Sequence, residues 1–215
     1  NIHNGIEVGG SQGSTSTTKI SDTFVHDNGY IGIWFEAGDG IERSTKVEGV
    51  RSINNVRHGM YVVVSDTLNL RVKDSETSYN GRNGMFIEGS ISNPGGYLNF
   101  ELDGFFNSRY NSLGLGVDNA DWEGEMRVKG VVNIYGNKYY GYQNDDNGAY
   151  VNVVVEKKGA FNSCNNNQSG SGAAADIFNR GDGTFSGNFF CGTAVAGSIG
   201  ANLPDCEDCP SCPVV

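Results

Sequence analysis

Acidic side chains recur where they could exchange protons with a substrate or bind a cation. Glu88, Asp118 and Asp145 follow apolar segments at similar intervals, and Asp118 opens an acidic segment that runs to Glu125. Two carboxylates held close together can differ in pKa and serve as acid and base in glycosidic chemistry. Such oxygen ligands also suit Ca²⁺, although the acidic segment lacks the spacing of an EF-hand. The simplest alternative is that these carboxylates point into water.

Basic side chains occupy equivalent positions beside these acids. Arg57 and His58 precede a glycine, and Arg82 takes the place of Arg57 in the next repeat. An imidazole can act as a general base, and a guanidinium group can neutralise a carboxylate on a substrate. A single histidine at a corner is more often structural, so both interpretations are kept. The candidate catalytic residues are His58, Glu88, Asp118 and Asp145.

Three aromatic residues, Trp34, Tyr61 and Phe86, share one position of the repeat, two residues after a glycine. Alternation along a strand predicts that they point outward and stack from one repeat to the next. Aromatic rings flanked by charged groups suit a carbohydrate, whereas rings that only cover the sheet, or that meet a partner protein, are the alternatives. A register slip of one residue would turn this row inward. The predicted carbohydrate-contacting residues are Trp34, Tyr61, Phe86, Arg57, Arg82, Glu88 and Asp118.

The pattern Asn-x-x-x-Gly sets all of these positions. An asparagine lies four residues before each repeat glycine, except that Tyr110 replaces it before Gly114. Glycine suits a corner with positive φ or with close approach of two backbones. Asparagine suits a turn whose side chain bonds the backbone and stacks on the asparagine of the next repeat. The repeat glycines are Gly5, Gly32, Gly59, Gly84, Gly114, Gly141 and Gly170, at steps of 27, 27, 25, 30, 27 and 29 residues.

Apolar residues alternate after the first five glycines, as in Ile33 and Phe35, and most repeats hold a second alternating segment. Period two is typical of a strand with one buried face. Two or three such strands cannot bury that face alone, but stacked repeats can. The sequence therefore predicts an all-β, single-stranded right-handed parallel β-helix of about seven coils of roughly 27 residues. An all-β sandwich is the alternative, but it would not need to repeat one motif seven times.

The unit Asn-x-x-x-Gly-apolar-x-apolar resembles the repeat of the right-handed parallel β-helix proteins of the pectin-lyase-like superfamily. The resemblance covers roughly residues 1–190 and implies a fold shared by polysaccharide lyases, glycoside hydrolases, uronate epimerases, phage tailspikes and non-catalytic surface proteins. It implies no particular activity, because the catalytic runs of the lyases and the mannuronan epimerases are missing. Asp145-Asp146 and Arg57-His58-Gly59 match fragments of polygalacturonase motifs, but in the wrong order and without their companions.

All five cysteines lie in the last quarter of the chain. Three form a Cys-x-x-Cys-x-x-Cys run without a nearby fourth zinc ligand, which favours oxidised cysteines over a metal site. Cys164 and Cys191 lie about one coil apart and are candidates to pair across the stack. We predict a parallel β-helix over residues 1–190, a Cys-rich cap or tail over 191–215, and glycosylation at Asn167. The predicted disulfide cysteines are Cys164, Cys191, Cys206, Cys209 and Cys212.

The composition limits the partners. The chain has 215 residues and a formal net charge of −10, which disfavours nucleic acid and anionic membrane surfaces. We expect a secreted, extracellular or cell-surface protein without a cofactor (Ca²⁺ being the alternative), which contacts polysaccharide without turning it over. A lyase, uronate epimerase or glycoside hydrolase is one alternative function. An architectural subunit that self-associates end to end is the other, because exposed end strands are templates for pairing.

Overall fold

The fold is a parallel β-solenoid. A computed structural model describes residues 2–9, 15–36, 43–64, 66–89, 96–118, 123–145, 150–166, 176–179, 184–187 and 190–191. Within these residues every regular element is a strand, and no helix is long and apolar enough to cross a membrane. The all-β class and the parallel β-helix are confirmed, whereas the solenoid has about five turns of ~27 residues rather than seven. Its right-handed sense stays a prediction.

The number of turns is lower than predicted because the first and last coils contribute only short described strands. The sheet that follows the repeat glycines does contain seven strands, but its two outermost strands have three residues each. In sheet order it consists of β1 (Ile6–Val8), β4 (Ile33–Glu36), β7 (Met60–Val64), β9 (Asn83–Gly89), β11 (Leu113–Asp118), β14 (Tyr142–Asp145) and β17 (Ile177–Asn179).

The second sheet contains twelve strands. Its two long strands, β8 (Thr67–Ser78) and β10 (Tyr97–Arg109), each pair with two successive short strands of a neighbouring coil, so a coil has up to three strand segments. The other members are β2 (Ser16–Ser21), β3 (Phe24–His26), β5 (Arg43–Glu48), β6 (Arg51–Ile53), β12 (Glu123–Val128), β13 (Val131–Tyr135), β15 (Tyr150–Val155), β16 (Ala160–Cys164), β18 (Phe185–Gly187) and β19 (Phe190–Cys191).

The core lies between the two sheets and follows the predicted alternation. Ile33, Phe35, Met60 and Val62, at the first and third positions after their glycines, are at most 1% exposed. Full burial of one such side chain contributes about 1.5–3 kcal/mol. Because these positions point inward, the position between them must point outward, and this fixes the face on which the aromatic row lies.

Buried asparagines form the predicted ladder along the solenoid. In each rung the backbone N–H and Nδ2 of one asparagine donate to Oδ1 of the asparagine one coil away, as Asn55 does to Asn80 at 3.0 and 2.9 Å. Asp176 Oδ1 accepts the last pair of bonds, each 2.9 Å long. The ladder satisfies buried donors that the corner would otherwise leave unpaired. Its asparagines are Asn28, Asn55, Asn80, Asn111, Asn137 and Asn166.

Two positions of the predicted repeat are wrong. Asn111, rather than Tyr110, belongs to the ladder, because Tyr110 has a positive φ of 54° like Tyr79, the residue before the ladder position one coil earlier. Asp176, rather than Gly170, takes the seventh corner, since Tyr142 pairs with Ile177. Gly170 itself lies outside the described residues. Coils of unequal length therefore keep the ladder but not the strict spacing from asparagine to glycine.

Close approach between coils, rather than positive φ, explains the repeat glycines. A Cβ on Gly59 would lie 2.6 Å from the carbonyl oxygen of Gly84 and 2.7 Å from Nδ2 of Asn80. No side chain fits there unless the next coil moves, because real Cβ contacts are longer than 3 Å. The same corner therefore needs both the glycine and the asparagine that the repeat conserves along the chain.

We expect Gly59→Ala to lower the free energy of unfolding by about 3 kcal/mol, the upper end of the usual cost of overpacking. The measurement is urea unfolding followed by circular dichroism. Gly9→Ala is the matched control, because a Cβ at Gly9 meets no atom of the described residues within 4 Å. Equal stability of the two variants would show that neighbouring coils tolerate the added methyl group.

Candidate ligand-binding groove

Trp34, Tyr61 and Phe86 form an aromatic strip on the outer face of the first sheet. Trp34 pairs with Tyr61, and Tyr61 with Phe86, in the backbone register. The Trp34 and Tyr61 rings lie 5.8 Å apart edge to face, and the Tyr61 and Phe86 rings 5.8 Å apart at an interplanar angle of 15°. The predicted phase of this row is therefore present, with the rings half-buried rather than fully exposed. Indole Nε1 of Trp34 is buried without a hydrogen-bond partner in the described structure.

Arg57 and Arg82, the guanidinium pair, border the aromatic strip on successive coils. The Arg57 amide donates to Tyr30 O, and the Arg82 amide to Arg57 O, both at 2.8 Å. The guanidinium carbon of Arg57 lies 4.1 Å from the Tyr30 ring centroid, and Nη1 donates to the Tyr30 hydroxyl. This cation–π contact orients Arg57 without neutralising its charge.

Neither member of the guanidinium pair forms a salt bridge with a carboxylate among the described residues. The other described arginines on the surface all do. A formal net charge of −10 offers carboxylates in excess, so two unpaired guanidinium groups on adjacent coils are unusual for this surface. The arginines that pair are Arg51, Arg71, Arg109 and Arg127.

The aromatic strip, the guanidinium pair, His58 and Glu88 line one open depression of about 460 Å³, which we call the groove. The structure thus brings together six of the seven predicted carbohydrate-contacting residues. Ile31 and Asn83 also line it, and the sequence did not identify them. Both precede a repeat glycine, as His58 does on the coil between them. The repeat therefore predicts that they line the groove once His58 is known to line it.

His58 packs against the floor of the groove. It is 6% exposed, and its ring lies 5.3 Å from Tyr61 and 5.2 Å from Phe86 in stacked orientations. Nδ1 is buried without a hydrogen-bond partner among the described residues. Burial, followed by the nearby charges of Arg82 and Arg57, lowers the pKa of His58 to about 4. The imidazole is therefore neutral at pH 7.

A hydrogen bond joins the aromatic strip to Glu88. The Tyr61 hydroxyl donates to Glu88 Oε2, and burial together with this bond raises the pKa of Tyr61 far above its ordinary value. Tyr61 therefore stays a neutral phenol across the physiological range. Among the described residues that line the groove, Glu88 is the one carboxylate, and Arg57 and Arg82 are the two guanidinium groups. The carboxylate of Glu36 also lies near enough to act on Tyr61.

Asp118 and Asp145 continue the row of Glu88 in the backbone register, as predicted. Their side chains, and residues 119–122 of the acidic segment, lie outside the described part of the chain. Within the described residues, no group of three or more His, Cys, Asp and Glu side chains could hold a metal ion. Catalysis or Ca²⁺ binding at Asp118 and Asp145 stays a prediction.

The cysteine and glycosylation predictions fall largely outside the described residues. Cys164 ends β16, and no disulfide has both of its cysteines among the described side chains. Its pairing with Cys191 therefore stays a prediction. Asn167 and the Cys206–Cys212 run lie outside the described residues, so their predicted roles also remain open.

The burial of His58 predicts a stability that falls with acid. Because the folded pKa lies below the ordinary 6.5, the unfolded chain binds more protons between pH 6.5 and 4. Stability from this residue is complete above pH 6.5, and about 3 kcal/mol of it is lost by pH 4. Urea unfolding at several pH values should show that His58→Phe removes this part of the slope. His26→Phe, which replaces an exposed side chain, should keep it, and an unchanged slope in His58→Phe would contradict the expectation.

No protein-family profile, curated protein or solved structure matches the chain in sequence or fold comparisons.

Proposed function

We propose that this protein is an extracellular structural or adhesive β-solenoid that binds acidic polysaccharide in the groove without turning it over. The observation that carries the proposal is the guanidinium pair, which lacks carboxylate partners in the described structure and borders the aromatic strip. Guanidinium groups bind carboxylate and sulfate through charge-assisted hydrogen bonds. Aromatic rings with a polar surround supply contact area for the apolar faces of sugars.

Two ring nitrogens without hydrogen-bond partners support the proposal that a ligand binds in the groove. Trp34 Nε1 and His58 Nδ1 are both buried, and neither has a partner among the described residues. Leaving a buried polar atom unpaired costs about 1–3 kcal/mol. Native structures usually pair such atoms, so each exception requires an explanation, and a bound ligand is one explanation for two exceptions in the same groove. Small rearrangements that let ligand hydroxyl or anionic oxygens reach these nitrogens would offset that cost.

A polysaccharide-active enzyme is the second candidate, because His58, Arg82 and Glu88 line the same groove. A lyase or epimerase needs a base beside a group that neutralises a uronate. His58 is a poor base at neutral pH, since its pKa is lowered to about 4 and Nδ1 is buried. These properties favour binding without turnover.

The extracellular setting and the superfamily are further parts of the proposal. The Cys-x-x-Cys-x-x-Cys run and the sequon at Asn167 support secretion. The Asn-x-x-x-Gly repeat and the parallel solenoid support placement among the pectin-lyase-like β-helix proteins. End-to-end self-association, which would require the first and last strands to be available for pairing, remains an alternative proposal.

Affinity electrophoresis against neutral and uronate polysaccharides, followed by sizing of each recovered polymer, tests the proposal. We expect retardation by uronate polymers, weak or no retardation by neutral ones, and unchanged polymer length and composition. Shortened polymer would establish a lyase or hydrolase, and a changed uronate composition would establish an epimerase. Migration unchanged by any polymer in the panel would contradict binding.

A further inference from the structure

We infer that binding of an anionic ligand in the groove is coupled to uptake of a proton by His58, so that mild acid strengthens binding. The inference rests on the proposed function, because it concerns the same groove and needs an anion at the guanidinium pair. It assigns to His58 a regulatory role in binding rather than a role as a catalytic base.

The position of His58 makes it responsive to a charge at the guanidinium pair. Its ring lies on Tyr61 and Phe86, the floor that a ligand would cover, and Arg57 and Arg82 lie close enough to disfavour its protonation. Within the described part of the chain, the charged and titratable groups around it are Arg57 on its own corner, Arg82 and Tyr30 on the neighbouring corners, Tyr61 on β7, Glu88 on β9 and Glu36 on β4.

In the free groove, protonation of His58 would place a third positive charge, on a buried ring, beside the charges of Arg57 and Arg82. An anion held by Arg57 and Arg82 would offset the two charges that, after burial, disfavour a proton on His58. Opposite charges within about 4–6 Å raise the pKa of a histidine by about 1–3 units. Linkage is reciprocal: if the bound ligand raises the pKa of His58, then protonation of His58 raises the affinity for the ligand by the same factor. The affinity must therefore increase as the pH falls.

The pKa of His58 sets how strongly the association constant depends on pH. If the bound ligand raises the pKa of His58 by two units from about 4, the association constant rises roughly tenfold between pH 7 and pH 5. Uronate carboxylates stay ionised over most of this range, as their ordinary pKa is about 3.5. The Glu88 carboxylate also lines the groove, where its charge opposes an anionic ligand. A variant at Glu88 must therefore accompany a variant at His58.

Isothermal titration calorimetry with an oligogalacturonate at pH 7 and pH 5 tests the inference, with dextran sulfate as a probe of constant charge. We expect the wild-type affinity to rise roughly tenfold, and the ratio of the two affinities to fall near one in His58→Phe but not in Glu88→Gln. His26→Phe, away from the groove, should keep the wild-type ratio. At pH 5, buffers of different ionisation enthalpy should show uptake of about 0.8 proton by the wild-type protein, a result that needs no variant to fold.

Binding at pH 7 with an unchanged or lower affinity at pH 5 would overturn the proton coupling and leave the proposed function intact. A ratio that is lost in Glu88→Gln and kept in His58→Phe would also overturn it, because the proton would then reside on Glu88. Absence of binding by both probes at both pH values would contradict the proposed function and the coupling together.

Discussion

Asn80→Ala is expected to lower the free energy of unfolding by about 3 kcal/mol, because it removes the centre of the asparagine ladder. Asn80 Oδ1 accepts from the backbone N–H and from Nδ2 of Asn55, and its Nδ2 donates to Asn111 Oδ1 at 3.0 Å. All of these groups are buried. Each buried donor left without an acceptor costs about 1–3 kcal/mol, and the cavity left by the amide adds to that cost.

Asn99→Ala is the matched control for the ladder. Asn99 also donates to an asparagine one coil away, Asn69, at 2.9 Å, but this pair is exposed on the second sheet. Water replaces the lost bond there, so we expect a change within about 0.5 kcal/mol. Urea unfolding of both variants measures the difference, and equal losses would show that burial does not decide the contribution of the ladder.

Replacing both members of the guanidinium pair, Arg57→Gln with Arg82→Gln, is expected to weaken binding of a uronate polymer by about 100-fold. Loss of one hydrogen-bonded charge contact costs about 1.5–3 kcal/mol, so even the lower figure for each arginine gives that factor. The remaining affinity should depend less on salt, since fewer ionic contacts persist. Calorimetry at two ionic strengths measures both effects.

Lys46→Gln with Arg127→Gln makes the same change in net charge on the second sheet. Both side chains are exposed there, and Arg127 pairs with Glu125. We expect this control to bind almost as tightly as the wild type. If it loses as much affinity as the groove variant, the interaction is governed by the overall charge of the protein or by the depression on the second sheet that Lys46 and Arg127 line, rather than by a site at the groove.

The sequence predicted the architecture because two strong constraints repeat in it. Alternating apolar residues such as Ile33 and Phe35 set which face is buried, and the corner asparagines set how coils stack. The register of Trp34, Tyr61 and Phe86 followed from these constraints alone. The positions of Asn111 and Asp176 did not, because coils of unequal length shift the corner relative to the glycine while hydrogen bonds keep the ladder in place.

The sequence predicted which residues of the candidate site lie side by side on neighbouring coils, but it did not predict the ion pairing and burial of those side chains. The repeat placed Arg57 and Arg82 on neighbouring coils beside the rings. It could not show that both lack carboxylate partners in the described structure, because ion pairing depends on side-chain conformations across coils. Nor could it show that His58 lies on Tyr61 and Phe86, since the chain turns at the corner and breaks the alternation that applies along a strand.

The fluorescence of Trp34 tests most directly whether an acidic polysaccharide binds in the groove. The chain has two tryptophans, so Trp122→Phe leaves Trp34, on the aromatic strip, as the only indole reporter. Titration with an oligogalacturonate should change its emission saturably, at the concentrations where calorimetry detects binding, and the change should shift to about 100-fold higher concentration when Arg57 and Arg82 are both replaced by glutamine. Binding detected by calorimetry with no change in Trp34 emission would place the ligand elsewhere and contradict a site at the groove.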